Sequence, residues 1–271
     1  MGKLIVTVAL TGNVPTKELN ENTPVTADEI VADAKACAEI GASVVHIHVR
    51  DEQGLPTSRR DLFEKVVNRM NEEKIDIIKQ LSTGARGGEN TVHWRGQMLD
   101  LNVEMASLAT GSSNFPSSVN ANSPDLINEL AQKMLDNNIK PEIEIFDTAM
   151  LSNALFLEKK GILKGPLHFN LVMDVKGSLP GTPRNLMFLV ESLPKGSTWT
   201  VTGIGRSQVQ MITMAIALGG HVRTGLEDTV EFEKGVLATN EMLVQRVVDI
   251  AKAVGRPIAT TDDTRKILSL E

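Results

Sequence analysis

The sequence is poor in cysteine and has no excess of positive charge, and each shortage excludes a class of protein. Cys37 is the only cysteine among the 271 residues, so an internal disulfide and a cysteine-based zinc cluster are excluded. A chain without disulfides fits a reducing compartment, and we expect a cytoplasmic protein.

The formal net charge of −6 is opposite to the Lys and Arg excess that neutralises phosphates. We therefore expect no nucleic-acid partner.

Long hydrophobic runs are also missing. The apolar run at residues 4–10 is too short to span a bilayer. It ends in Thr11-Gly12 rather than in a small-residue cleavage site. We expect a first buried strand here and no membrane partner.

Strand and helix patterns alternate along the rest of the chain. Thr26 stands three residues before Glu29, which predicts a capping box at the start of a helix that ends at Gly41. Ser123-Pro124 predicts the start of another helix. Apolar or alternating runs predict eight strands, at residues 4–10, 44–51, 76–83, 105–110, 142–147, 167–173, 198–202 and 221–226.

Eight strand–helix units in about 250 residues predict a (β/α)8 TIM barrel. We find no linker or change of composition, and we expect one domain over residues 1–271. The alternative is a doubly wound open sheet. That fold would be expected to show a glycine fingerprint after its first strand, and residues 11–14, Thr-Gly-Asn-Val, do not match it.

Two histidines in the second predicted strand form a candidate metal site. His46 and His48 are two residues apart, so in a strand they share one face. A His-x-His pair alone is a weak motif, and strand histidines are more often ordinary core or surface residues. A third ligand and an open cleft are needed to favour metal binding.

Barrel closure suggests where the third ligand lies. The carboxyl ends of all strands meet at one mouth, and the eighth strand becomes a neighbour of the first, which lies beside the histidine strand. Glu227 can therefore reach the histidines. Two histidines and one carboxylate leave positions open on zinc, as in catalytic sites, and these suit a substrate carbonyl.

The neighbouring residues suggest a base. Asp228 near Arg223 would stay ionised and oriented, which suits removal of a proton from carbon beside a polarised carbonyl. The alternative is a structural Arg–Asp pair at the rim of the barrel.

Seven motifs distributed along nearly the whole chain carry a family resemblance. They are Leu10-Thr11-Gly12, Val45-His46-Ile47-His48-Val49-Arg50, Leu81-Ser82-Thr83-Gly84, Glu104-Met105-Ala106-Ser107-Leu108, Pro141-Glu142-Ile143-Glu144, Gly203-Ile204-Gly205-Arg206 and the segment 219–228. In this order they resemble the β-keto acid cleavage enzymes. The resemblance implies a zinc-dependent barrel, a homo-oligomer and specifically a tetramer, that converts a β-keto acid and acetyl-CoA into acetoacetate and a new acyl-CoA.

The resemblance also implies residue roles. The zinc ligands would be His46, His48 and Glu227, and Asp228, held by Arg223, would generate the substrate enolate. This carbanion would attack the acetyl-CoA thioester, and the released CoA thiolate would cleave the adduct in a retro-Claisen step. Ser82 would lie beside the substrate carboxylate and reacting carbonyl, and the same pocket would be lined by Thr83, Gly84 and Ser107.

Two departures from the family pattern bear on the substrate. Ser107 replaces a threonine and keeps the hydroxyl, whereas Val14 replaces the glutamate that holds an ammonium in the amine-handling family member. An apolar side chain cannot pair with an ammonium, so we expect a substrate without an amino group. Glu144 matches a family carboxylate on the fifth strand.

Gly205 and Arg206, at the start of the helix after the seventh strand, are candidates for holding CoA phosphates, because barrels often bind phosphate near strands seven and eight. Basic residues before a helix are also common without a ligand. Two other functions stay open: a metal-dependent aldolase or lyase without CoA, and a non-catalytic metabolite-binding barrel with structural zinc.

Overall fold

The computed structural model describes residues 2–84, 88–115 and 118–270, and its centre is a closed barrel of eight parallel strands. Every strand pairs with the next along the chain, and β1 also pairs with β8, which closes the barrel. The strands are β1 (Val6–Ala9), β2 (Val44–Ile47), β3 (Ile78–Leu81), β4 (Met105–Ala109), β5 (Lys140–Ile145), β6 (His168–Met173), β7 (Thr198–Gly203) and β8 (His221–Thr224). The predicted TIM barrel is confirmed, and the open sheet was the wrong alternative.

Helices follow the strands, as the alternation predicted. The capping box of Thr26 and Glu29 is present, and the Ser123 side chain accepts a hydrogen bond from the N–H of Leu126. The helices are α1 (Ala27–Ile40), α2 (Arg60–Glu72), α3 (Val92–Arg95), α4 (Pro124–Asp136), α5 (Thr148–Lys159), α6 (Pro183–Ser192), α7 (Gln208–Leu218), α8 (Asn240–Ala253) and α9 (Thr261–Leu268). None of the helices in these three ranges combines the length and the hydrophobicity of a membrane span.

The barrel interior has an apolar floor and polar residues above it. The floor consists of side chains at or near the amino ends of the first four strands, and Leu268 of α9 packs against them; they are Ile5, Val44, Ile78 and Met105. Buried polar residues occupy the strands above, including Thr7, His46, Gln80, Glu142, Asn170, Thr202 and Arg223. These polar side chains therefore lie on the carboxyl side of the apolar floor.

Two of the differences between the structure and the sequence prediction concern the second strand and the last helix. The second strand was expected to run to residue 51, but β2 ends at Ile47. Val49–Arg50 pairs instead with Pro56–Thr57 in a short antiparallel hairpin, where Asp51 accepts backbone hydrogen bonds within the turn. Helix α9 was not predicted.

Candidate active site

A cavity of about 1120 Å³ opens at the carboxyl ends of the strands. Most of the predicted site residues line it: Val14, His46, His48, Ser82, Thr83, Gly84, Glu144, Gly205, Arg206, Arg223, Glu227 and Asp228. Ser107 is the one predicted site residue that is not among the described residues lining the cavity. The barrel thus brings together side chains that are as many as 214 positions apart, from Val14 to Asp228.

Three ligand atoms converge in the cavity wall. His46 Nε2 lies 3.2 Å from His48 Nε2, and the Glu227 carboxylate oxygens lie 3.7 Å from His46 Nε2 and 3.4 Å from His48 Nε2. Two ligands of a tetrahedral zinc ion, each about 2.1 Å from it, lie about 3.4 Å apart. The spacing of the three residues matches that geometry.

The connection after β8 brings Glu227 to the histidines. Its backbone N–H donates to the carbonyl of Ala9 at the end of β1, over 3.1 Å, and β1 lies beside the histidine strand. Gly12 lies directly under the Glu227 side chain: a Cβ there would be 2.4 Å from Glu227 Cγ. Only glycine leaves room for this arrangement, since real Cβ atoms do not approach a carbon so closely.

The donor chemistry also fits a cation. Gln80 Oε1 lies 2.6 Å from His46 Nδ1, and this contact favours the proton on Nδ1 and the lone pair on Nε2. Burial and the nearby Arg223 lower the pKa of His46 to about 3, so the ring is neutral. Glu227 Oε2 is buried and has no hydrogen-bond partner within the described residues. A metal ion would satisfy that oxygen.

Arg223 connects the three carboxylates around the site. Its guanidinium contacts both oxygens of Asp228, with Nε at 3.1 Å from one and an Nη at 2.8 Å from the other. One Nη of Arg223 lies 2.7 Å from a carboxylate oxygen of Glu227, and the other Nη lies 3.7 Å from a carboxylate oxygen of Glu144. Burial alone would lower the pKa of Arg223, but these carboxylates hold it well above its usual value.

The carboxylates differ in their proton affinity. Burial opposes ionisation of Glu227, yet the nearby Arg223 guanidinium holds its pKa well below the ordinary value. Burial raises the pKa of Asp228 to about 6, and Arg223 limits the rise. Burial likewise raises the pKa of Glu144 to about 7. Glu227 is therefore ionised at neutral pH, whereas the pKa values of Asp228 and Glu144 lie close to neutrality.

Short polar side chains line the wall beside His48. The Ser82 hydroxyl accepts a 3.2 Å hydrogen bond from the N–H of Gly84, and the position of a Cβ on Gly84 would be 3.4 Å from a ring carbon of His48. Thr83 donates its hydroxyl hydrogen to the carbonyl of Ser107. The Ser107 hydroxyl accepts a 3.3 Å hydrogen bond from the N–H of Thr83. Ser107 therefore holds Thr83 in position without lining the cavity itself.

The outer cavity contains the remaining predicted residues. Val14 is 56% exposed. Gly205 and Arg206 are exposed in a 3₁₀ turn that leads directly into α7. These three positions are solvent-exposed parts of the cavity wall.

Sequence reasoning missed three polar residues of the site, Gln80, Arg95 and Gln208. Arg95 is 1% exposed, and its guanidinium donates to the carbonyls of Thr83 and Ala121. Burial lowers the pKa of Arg95 to about 10. Alternation along β3 was a usable signal for Gln80, because it places Gln80 on the same barrel face as His46. No local pattern identifies Arg95 or Gln208.

Comparison with known proteins gives consistent results. The family model described as beta-keto acid cleavage enzyme matches residues 3–270. The chain is 45% identical to the 3-keto-5-aminohexanoate cleavage enzyme of Acetoanaerobium sticklandii, over 100% of this chain and 99% of that protein. It is 43% identical to the 3-oxoadipate:acetyl-CoA acetyltransferase of Cupriavidus necator, over 98% of this chain and 94% of that protein.

A solved structure shares the fold. The apo structure of ObcA superposes with a TM-score of 0.81 at 20% sequence identity and covers 92% of this chain. The chain spans 65% of the length of ObcA. At this identity the likeness concerns the barrel alone.

Proposed function

The chain belongs to the β-keto acid cleavage enzyme family, and from that premise we propose that it exchanges acyl groups between a β-keto acid and acetyl-CoA, yielding acetoacetate and a new acyl-CoA. The observation that carries this proposal is the two-point contact of Arg223 with Asp228 directly beside the His46, His48 and Glu227 cluster. A held carboxylate next to a metal-type site suits proton removal from carbon beside a carbonyl.

We propose that His46, His48 and Glu227 hold a zinc ion. Two imidazoles and one carboxylate form a ligand set that zinc uses in catalytic sites. When bound, zinc would act as a Lewis acid toward the keto oxygen of the substrate. The unpartnered Glu227 Oε2 and the ligand spacing support this assignment.

The protein side chains would handle the proton and the charges. Asp228 would take the proton from the carbon between the two carbonyl groups, and Arg223 would keep Asp228 oriented. The resulting carbanion would attack the acetyl-CoA thioester carbon and expel CoA thiolate. The thiolate would then attack the original keto carbon, and the carbon–carbon bond would break to give acyl-CoA and the carbanion of acetoacetate. Asp228 would return its proton to that carbon, which yields acetoacetate and restores the carboxylate. Ser82 would support the substrate carboxylate.

We propose that the preferred substrate has no amino group. Val14 lines the cavity and cannot pair with an ammonium. The relatives' names include 3-keto-5-aminohexanoate, which carries an amine, and 3-oxoadipate, which carries a second carboxylate. Family members therefore differ in substrate, and Val14 supports our proposal of a substrate without an ammonium. Thr83, Gly84 and Glu144 would complete the substrate pocket with Ser107 behind it.

We further infer that Gly205 and Arg206 contact CoA phosphates at the cavity mouth. Residues 1–271 would form one domain that assembles into a homo-oligomer, specifically a tetramer, in the cytoplasm. The CoA contact is inferred from the exposed position of Arg206 after the seventh strand, where barrels often bind phosphate. The oligomer is inferred from the family resemblance, and the compartment from the single cysteine.

The deciding experiment is a substrate panel. Purified zinc-loaded protein is incubated with acetyl-CoA and β-keto acids that carry neutral, anionic or amino-substituted tails, and acetoacetate and acyl-CoA are measured. We expect turnover with a substrate lacking the amine and little turnover with amino-substituted ones. Absence of acetoacetate across the panel would contradict the proposed reaction. Turnover of a keto acid without any CoA compound would favour an aldolase or lyase.

A further inference from the structure

The side-chain amide of Gln208 is a buried polar group to which the proposed chemistry gives no role. Gln208 is the first residue of α7, is 1% exposed and lines the cavity. Throughout the part of the chain that the structure describes, neither its Oε1 nor its Nε2 has a hydrogen-bond partner. A buried amide without partners destabilises the protein in which it occurs. Its position in the cavity wall points to a ligand that supplies the missing partners.

The turn between β7 and α7 leads into Gln208 and contacts the backbone of the proposed base. A Cβ on Gly203 would lie 2.7 Å from Gln208 Cα, so glycine allows α7 to begin directly against the end of β7. In the same turn, the N–H of Gly205 donates to the carbonyl of Asp228 over 2.8 Å. Gln208 therefore lies on the turn that also anchors Asp228.

The two unpartnered atoms restrict the chemistry of the ligand. Nε2 requires an acceptor and Oε1 requires a donor. A phosphate, a carboxylate or a thioester carbonyl would satisfy only Nε2 and would leave Oε1 buried without a partner. An amide-containing chain offers both kinds of group. The pantetheine arm of CoA contains two secondary amides between its phosphates and its sulfur.

We propose that Gln208 binds the pantetheine arm of acetyl-CoA, with Nε2 donating to an amide carbonyl and Oε1 accepting from an amide N–H. This inference rests on the proposed function, because it assigns a contact to the same co-substrate. It also gives the arm a direction. The phosphates lie toward exposed Arg206, the amides lie against buried Gln208, and the thioester extends toward Asp228.

Binding measurements on the zinc-loaded protein test this contact. Calorimetry with free CoA is compared with calorimetry using adenosine 3′,5′-bisphosphate, which carries phosphates but no pantetheine arm. In Gln208→Met, which keeps the side-chain length, we expect CoA to bind about tenfold more weakly and the nucleotide to bind unchanged. The melting temperature without CoA should rise, because an unpartnered buried amide has been removed. Gln210→Met, on the exposed side of α7, is the matched control.

A second variant keeps the test decisive if methionine disturbs packing. Gln208→Glu retains an acceptor but loses the amide donor, so CoA binding should again weaken relative to the nucleotide. Equal CoA affinity in both variants and the wild type would overturn the inference, as would an equal loss for CoA and nucleotide. If the wild type makes acetoacetate, either of these outcomes contradicts only the proposed Gln208 contact and leaves the proposed function intact. If the wild type neither binds CoA nor makes acetoacetate, the proposed function itself fails.

Discussion

Gln80 Oε1 lies 2.6 Å from Nδ1 of His46, and both side chains are buried within the barrel. The two residues are partners in the register of β2 and β3, so the contact follows directly from strand pairing. Metal-binding histidines are commonly oriented by a hydrogen bond to their second ring nitrogen. Gln80 thus acts on the proposed metal site through His46.

Replacing Gln80 by Leu should weaken zinc binding by about 10-fold to 100-fold, because His46 loses the contact that fixes its tautomer and ring orientation. Competition against a chromophoric chelator measures the dissociation constant without reference to turnover. Gln132→Leu, on the exposed surface of α4, provides the control. Unchanged zinc affinity in Gln80→Leu would show that the contact has no orienting role.

Replacing Asp228 by Asn should lower kcat by roughly 10²-fold to 10⁴-fold, which is the usual contribution of a general base. The asparagine oxygen can accept one of the two Arg223 hydrogen bonds, and Arg223 keeps its contact with Glu227. Zinc content should therefore stay close to wild type, whereas the melting temperature should fall. Exchange of substrate carbon-bound hydrogen with deuterated water, above the spontaneous rate, reports the proton-removal step itself.

Asp249→Asn, on the exposed face of α8, controls for loss of a negative charge. Wild-type exchange and turnover in Asp228→Asn would rule out Asp228 as the base. Loss of turnover with exchange retained would instead place Asp228 in a later step.

Replacing Glu144 by Gln should change how stability depends on pH. Burial raises the pKa of Glu144 from 4.5 to about 7 in the folded protein, so the folded state binds this proton more tightly than the unfolded state. The wild type therefore loses stability as pH rises from about 4.5 to about 7, and the loss persists above that range. The full effect is about 3 kcal/mol, which glutamine does not experience.

Denaturant titrations at several pH values measure this effect. The free energy of unfolding of Glu144→Gln minus that of the wild type should increase between pH 5 and pH 7 and then level off. A difference that stays constant over this range would contradict the assigned shift.

Much of this architecture is predictable from the sequence because it depends on periodicity and on closure. Alternation placed His46 and His48 on one face, and the adjacency of β8 and β1 predicted the approach of Glu227. The end of β2 at Ile47 was missed, because the turn that Asp51 closes competes with strand pairing. The unpartnered state of Gln208 depends on the close approach of β7 and α7, which no local pattern encodes.

Helix α9 shows why a short terminal element escapes sequence analysis. Its start has a visible capping box, formed by Thr260 and Asp263. The helix itself has few apolar residues, and the buried Leu268 stands near its end. The barrel floor, which packs against Leu268, gives this helix an apolar binding surface that its own sequence does not reveal.

Replacing Leu268 by Ala should therefore destabilise the protein by about 2–5 kcal/mol. The lost side chain would leave an empty space against Ile5, Val44 and Met105 in the barrel floor. Denaturant unfolding measures the loss, with Leu218→Ala as the control, since Leu218 is 44% exposed and should change stability by less than about 1 kcal/mol. The kcat of the folded variant should match wild type, because the floor lies at the end of the barrel opposite the cavity. Wild-type stability in Leu268→Ala would mean that α9 does not close the barrel in solution.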